Sequence, residues 1–375
     1  MKLEYQEYRA RKIVNVHKHV DGPWFWDKYS AHPYIGCSSG CEFCYSRGGH
    51  YLGRRSPDTF DSLIQVKTNA IELLRKELSR LAPDIIALGD WQQPAEQDHG
   101  ISRGMLEVAL DLGFPVFIVE RSPLLTRDLD LLTAINRRAW VGVVYSISTL
   151  DPELKSAFEP RSPGVKQRLN AMGALAEAGI LVGTALMPII PFFGDDEKHL
   201  EDVVRATKEH GGSFVMPGGM TMDGVQAERT LSAARGVDPS SEERWRELYK
   251  WEPGAAPSYS PPRSYGARLG LVVREMCAHQ GLRDRMPRYI APGPLAVNKH
   301  VAERLFLSTY DLELQQASDH HIWAYRKAAW TIDELGVSIE GIYEARGEAG
   351  LRELSGVGKS LAGRIAGWLE ESATH

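Results

Sequence analysis

Three of the chain's four cysteines fall within eight residues, Cys37, Cys41 and Cys44, in the run GCSSGCEFCYSR; the fourth, Cys277, is remote. A disulfide framework belongs to small secreted chains richer in cysteine, so ligation of a metal or cluster is the better account. A cubane [4Fe–4S] cluster takes four ligands, usually thiolates. Three cysteines in one short loop can hold three irons and leave the fourth open to a small molecule. The other metal reading is a structural zinc site completed by His32 or His50, although the paired short ligand hairpins usual for such sites are absent.

The elements that would position this loop follow it in the sequence. Strand-like apolar runs recur at 84–89, 115–120, 141–148, 181–190 and 213–217. Helical patterns lie between them at 102–112, 124–137, 165–178 and 198–209. Nearly continuous Val- and Ile-rich strands suit a parallel sheet covered on both faces. A first strand is expected at 32–36, before the cysteine loop, with a helix near 63–81. Six βα units imply a partial barrel, in which chemistry gathers at the C-terminal ends of the strands. Residues 221–296 break the alternation with Pro, Gly and Arg and read as an extension, with helices near 241–250 and 267–280. From Asn298 the pattern is helical, with helices expected at 299–315, 320–335, 339–345, 350–354 and 359–371.

The 375 residues are 43% hydrophobic and 25% charged, with a net charge of −5. That composition implies a packed core and argues against a surface coated for polyanions, while leaving room for a local basic patch. No apolar run reaches the ~18 residues needed to span a bilayer. The charged N-terminus lacks a signal-peptide core, so a cytoplasmic protein with no membrane partner is expected.

With Phe43 just before its last cysteine, the loop resembles the CxxxCx(aromatic)C signature of radical S-adenosylmethionine (SAM) enzymes. The segments HPYIGCSSGCEFCYSR, GDWQQPAEQDHGISRGMLEVALDLGFPVFIVERS, VVYSISTLDPELKSAFEPRSPG and AGILVGTALMPIIP resemble the branch related to spore photoproduct lyase, over about residues 10–220. The resemblance implies a [4Fe–4S] cluster on Cys37, Cys41 and Cys44, with SAM chelating the open iron and yielding a 5′-deoxyadenosyl radical. It implies SAM contacts at Phe43, Gly89, Asp90, Ser146 and Ser148, and pairing of Arg161 with the SAM carboxylate, which a bidentate guanidinium suits. A protein electron donor such as flavodoxin or ferredoxin is implied as well. The chain departs from that branch in two places. Its third strand ends in VERS, placing Glu120 and Arg121 where the branch often has Lys, and no cysteine lies near the second strand, so thymine-dimer reversal does not carry over. Cys277 is a candidate hydrogen-atom donor, and Tyr45, Tyr145 and Tyr265 are candidate radical relays.

The tail carries a second signal. LRELSGVGKSLAGRIAGWLEE joins two helices through Gly356-Val357-Gly358. Free N–H groups opening the second helix, at Lys359 and Ser360, can bind a phosphate. This resembles a helix-hairpin-helix motif, and 298–371 as a whole resembles the N-terminal helical domain of family X DNA polymerases. The resemblance implies nucleic-acid contacts from Tyr325, Arg326, Lys327, Gly356, Gly358, Lys359 and Ser360. The family's Schiff-base lysine aligns with Arg364, a poor Schiff-base former, so binding is expected and lyase chemistry is not.

The expectation is therefore an α/β protein in three parts: a partial (β/α)6 radical SAM barrel at 1–220, a wrapping extension at 221–296, and an all-α helix-hairpin-helix domain at 297–375. It would act on DNA, or less readily RNA, in lesion repair or nucleotide modification. Two alternatives stay open: a radical enzyme on a peptide or small metabolite with a docking tail, and a metal-stabilised nucleic-acid binder without catalysis.

Overall fold

The computed structural model describes residues 2–48 and 55–373; His50 lies outside them. The chain divides into two compact units, Met1–His17 with Asp27–Met286, and Lys18–Trp26 with Pro287–His375.

The larger unit is mixed α/β. Its elements run β1 (Glu4–Tyr8), β2 (Val14–Val16), β3 (Tyr29–Ala31), β4 (Tyr34–Ile35), β5 (Leu63–Lys67), α1 (Ala70–Leu78), β6 (Ile86–Leu88), α2 (Ala95–His99), α3 (Ile101–Leu112), β7 (Val116–Glu120), α4 (Leu129–Arg138), β8 (Val141–Ser146), α5 (Pro152–Phe158), α6 (Val165–Glu177), β9 (Leu181–Ile189), α7 (Glu197–Glu209), β10 (Phe214–Gly219), α8 (Gly224–Val237), α9 (Ser241–Leu248) and α10 (Arg263–His279). The main sheet has the order β10-β9-β8-β7-β6-β3-β2. Strands β3 and β6 to β10 run parallel, and β2 pairs antiparallel with β3. Every residue of β8 is buried, as a strand covered on both faces requires.

Three expectations change. The strand at 32–36 ends earlier in the main sheet, at Ala31, because Pro33 has no N–H to donate to the ladder. Tyr34 and Ile35 instead join a small sheet of order β1-β5-β4. The helix at 63–81 begins as a strand: LIQVK alternates in burial, with Ile64 and Val66 fully buried, before α1 starts at Ala70. Helix α8 lies in the run read as irregular. Its apolar positions Ala227, Leu231 and Ala234 share a face with buried Gln226 and Thr230, and those polar residues blur the 3.6-residue period.

The smaller unit holds α11 (Ala296–Leu314), α12 (Asp319–Asp333), α13 (Ile339–Arg352) and α14 (Lys359–Ala373). Residues 18–26 are part of its packing. Trp26, 1% exposed, meets Phe306 edge-on at 5.7 Å, and Arg288 lies over the Trp26 ring at 5.1 Å. His19 stacks on Trp330 at 4.5 Å and pairs with Glu334 at 2.9 Å, while Trp330 Nε1 donates to the Val20 carbonyl. The two helices expected at 339–345 and 350–354 are one element with a break at Gly347 (φ 60, ψ −153). Only glycine occupies that region readily, so Gly347→Ala is expected to destabilise the unit by about 1–3 kcal/mol, read by urea unfolding. No helix among the described residues is long and apolar enough to cross a membrane.

Candidate functional site

The cysteine loop leaves β4 through Gly36 (φ 97) and turns again at Gly40 (φ 62). A Cβ at Gly36 would stand 2.7 Å from the Phe60 carbonyl, and one at Gly40 would meet the Arg161 guanidinium at 2.1 Å. Gly36 therefore needs glycine for backbone and for space, and Gly40 for its left-handed backbone. Cys37 N–H donates to the Phe60 carbonyl and Cys44 N–H to the Cys41 carbonyl. Asp61 braces the loop from below, bonding to Arg47 at 2.9 Å and to Arg161. Arg47 also donates to the Cys41 carbonyl, and Arg161 to the Ser38 carbonyl at 2.9 Å. Burial would raise the Asp61 pKa, but the two guanidinium groups outweigh it and hold the carboxyl below its ordinary value. Phe43 is 6% exposed, and its carbonyl accepts from Gln226 of α8.

The C-terminal ends of the parallel strands meet this loop. After β6, Gly89 accepts from Ser102, and Asp90 (φ 84) pairs with His32 at 3.5 Å. Gln92 donates to Asp90 at 3.3 Å and toward the Cys37 sulfur at 4.0 Å, while buried Gln93 donates to the Gly36 carbonyl at 2.9 Å. After β7, the buried Glu120 carboxylate accepts backbone N–H groups from Trp91, Arg121 and Ser122. Burial still pushes its pKa up to about 7. Arg121 lies over the Phe43 ring at 5.9 Å and 3.8 Å from Glu159. After β8, the Ser146 and Ser148 hydroxyls both donate to the Met187 carbonyl of β9.

The thiols share one electrostatic environment. Burial, then the neighbouring Cys44, raises the Cys37 pKa against hydrogen bonds from Ser39. Burial raises the Cys41 pKa as well, with Arg121 opposing it. Burial works against the charge on Arg121, but Cys41, Glu159, Cys44 and Cys37 together hold its pKa above the ordinary value. Three thiols crowded against one cation form a donor set suited to a polynuclear cationic centre. In a cubane each cysteine ligates a different iron.

The structure thus gathers Cys37, Cys41, Cys44, Phe43, Asp90 and Arg161 around one loop. It does not bring Cys277 there. That thiol is 1% exposed in the main core, bonded to the Val215 backbone near the start of β10, with a pKa pushed up to about 12 by burial and then Asp284. Tyr45 is 56% exposed on the turn after Cys44. Tyr145 is buried and donates to the Ser122 carbonyl, and Tyr265 donates to Asp195 at 2.6 Å. Gln92, Gln93, Asp61 and Glu159 join the constellation without a sequence signal to single them out, since single polar residues in loops carry no periodicity.

In the smaller unit a cleft of ≈ 610 Å³ is lined by His321 and Tyr325 of α12, Arg352 of α13, and Gly356, Gly358, Lys359 and Ser360 of the hairpin. Gly356 has φ 78, a left-handed conformation that favours glycine, and lies in van der Waals reach of the Lys327 backbone. Arg364 donates to the Tyr325 hydroxyl at 2.7 Å. Arg326 is turned to Glu313 at 2.5 Å and to the Trp323 ring at 5.1 Å, and Lys327 is exposed outside the lining.

No family model matches the chain. It is 30% identical over 238 residues to an uncharacterized protein of Mycobacterium tuberculosis, covering 62% of this chain and 70% of that protein. The chain belongs to that protein's family. An uncharacterized protein of Methanocaldococcus jannaschii is 29% identical over 199 residues, covering 52% and 71%. Among solved structures, a spore photoproduct lyase variant with bound AdoMet and dinucleoside spore photoproduct matches with TM-score 0.54 and 17% identity, over 75% of this chain and 81% of that one. The likeness extends the shared fold beyond the cysteine loop to the greater part of the chain.

Proposed function

We propose that this chain is a radical SAM enzyme acting on nucleic acid, DNA in preference to RNA, in lesion repair or nucleotide modification. The observation that carries the reading is the cysteine trio held against Phe43, Asp90, Arg121 and Arg161 at the C-terminal ends of the parallel strands. The fold it sits in is shared with a spore photoproduct lyase variant solved with bound AdoMet and dinucleoside spore photoproduct. The parallel strands with their helices are read as a partial (β/α)6 barrel. Cys37, Cys41 and Cys44 would hold a [4Fe–4S] cluster. When bound, the cluster and SAM supply a carbon-centred radical by one-electron reduction of the sulfonium.

The chain's own residues bind, orient and shield. Arg161, fixed over Gly40 by the Ser38 carbonyl and Asp61, presents a guanidinium for the SAM carboxylate. Gly89 and Asp90, the latter held at positive φ just past the end of β6, present backbone groups for the amino group. Phe43 and its apolar neighbours Phe158, Met220 and Met222 exclude water, which protects a reactive radical. The electron would come from a flavodoxin- or ferredoxin-type donor. Anaerobic reconstitution followed by dithionite tests this reading: release of 5′-deoxyadenosine from SAM is expected, and an intact cluster that releases none overturns it.

The tail is read as a helix-hairpin-helix module that grips phosphates without reading bases. Supporting this, Tyr325, Gly356, Gly358, Lys359 and Ser360 line one cleft together with Arg352. Lys359→Glu is expected to weaken plain duplex binding and to reduce the salt slope by about 1, read by fluorescence anisotropy across a salt series. A target base would have to be flipped out of the stack at an unstacking cost of a few kcal/mol, lower for damaged bases.

A further inference from the structure

The three thiols of the loop are not equivalent. The Cys37 sulfur accepts hydrogen bonds from the Ser39 backbone N–H and hydroxyl, and the Gln92 amide donates toward it at 4.0 Å. Asp90 accepts from the same Gln92 nitrogen at 3.3 Å and so aims the amide, while Ser38 donates to the Gln92 backbone carbonyl and anchors the main chain beneath it. Gln93 next to it is fully buried and ties this segment to the Gly36 carbonyl at 2.9 Å. Cys41 sits among apolar side chains that include Phe43, Phe158 and Met220. Arg121 is the cation whose charge acts on all three thiols, while Arg161 is tied to the Ser38 carbonyl and Asp61. The Arg121 Nε is buried with no hydrogen-bond partner, and Glu159, pinned by Arg168, stands 3.8 Å away.

The potential of an iron–sulfur cluster follows its net charge, the hydrogen bonds to its sulfurs and its exposure. Uptake of one electron adds one negative charge and neither makes nor breaks a bond. A donor aimed at a ligand sulfur and a fixed cation beside the cluster both stabilise the reduced form. We propose that Gln92 and Arg121 raise the reduction potential of the cluster carried by Cys37, Cys41 and Cys44, Gln92 through an N–H···S hydrogen bond to Cys37 and Arg121 through its charge. Neither is a ligand, and both act on the cluster through space or through Cys37. This rests on the reading above, and it assigns to two side chains the ease with which the flavodoxin- or ferredoxin-type donor delivers its electron.

The test is a dye-mediated redox titration, followed by electron paramagnetic resonance, of the anaerobically reconstituted full chain without SAM. Arg121→Gln is expected to lower the equilibrium constant for reduction about tenfold, equivalent to about 59 mV for one electron. Gln92→Leu is expected to lower it about threefold, and Arg121→Lys, which keeps the charge, less than about twofold. Variants that retain iron and sulfide at the wild-type ratio yet titrate with the wild type overturn the inference. An Arg121→Lys shift as large as that of Arg121→Gln overturns the charge argument. Should Arg121→Gln fail to hold a cluster, the Gln92→Leu titration decides, and no shift there is a negative result. A wild-type chain without inorganic sulfide is a different failure, that of the proposed function itself.

Discussion

Cys41→Ala is expected to remove bound iron and sulfide and to abolish release of 5′-deoxyadenosine, while leaving the chain folded. Cys41 is 5% exposed and packs in an apolar cluster with Phe43, Phe158, Met220 and Trp245. There it behaves as a small hydrophobe, so alanine removes one buried sulfur at a cost of about 1 kcal/mol. The chemical loss is out of proportion to that. With one of three thiolates gone, two irons of a cubane lack a protein ligand. Cys277→Ala is the matching control. Its thiol is equally buried but belongs to the main core beside Val273 and Leu269, so this variant is expected to keep full iron content. Iron and acid-labile sulfide assays on both variants, with circular dichroism to confirm folding, make the comparison. A Cys41→Ala chain with wild-type sulfide content would remove the cysteine loop as the cluster's seat.

The cysteine triad was readable because ligand spacing is local: three thiols within one turn-rich loop need no tertiary information. The strands β6 to β10 were readable for a related reason, since strands buried on both faces are written as unbroken apolar runs. The short run at Leu63–Lys67 was not, because an alternating five-residue strand directly followed by an amphipathic helix reads as one long helical pattern. The bracing of the site was hidden for another reason. Asp61 reaches Arg161 across a hundred residues of chain, and Gln226 reaches the Phe43 carbonyl across 183. Nothing in local composition marks either pair. The same holds for Lys18–Trp26, whose place in the smaller unit depends on Trp330 and Phe306, aromatic residues that look like ordinary core positions of their own helices. The hairpin was legible through Gly356 and Gly358, yet the flanking cations were not equivalent: only the fold shows Arg326 engaged with Glu313 while Lys359 lines the cleft.

A buried charge that the sequence did not distinguish is expected to matter most for stability. Arg168 is fully buried on α6, where it bonds to the Ser146 carbonyl at the end of β8, the Pro163 carbonyl, the Ser162 hydroxyl and the Glu159 carboxylate. Glu159 is 1% exposed. Burial alone would raise its pKa, but Arg121 and Arg168 reverse this and hold it below its ordinary value of 4.5. A carboxyl depressed in this way contributes stability above its unfolded pKa and loses that contribution as pH falls through the folded one. Arg168→Ala leaves Glu159 buried with the Ser162 hydroxyl at 2.9 Å and Arg121 at 3.8 Å as its remaining partners, and breaking a buried pair from one side costs about 3–5 kcal/mol. In that variant burial dominates, so Glu159 is expected to bind a proton in the folded state more readily than in the unfolded chain. The gap in stability between wild type and variant should therefore narrow on going from neutral to mildly acidic pH. Urea unfolding at both conditions reads it. The double variant Arg168→Met with Glu159→Leu removes both charges and is expected to recover most of the loss. A single Arg168→Ala change costing less than about 1 kcal/mol, the scale of a surface ion pair, would show that the pair does not hold the end of β8 to the start of α6.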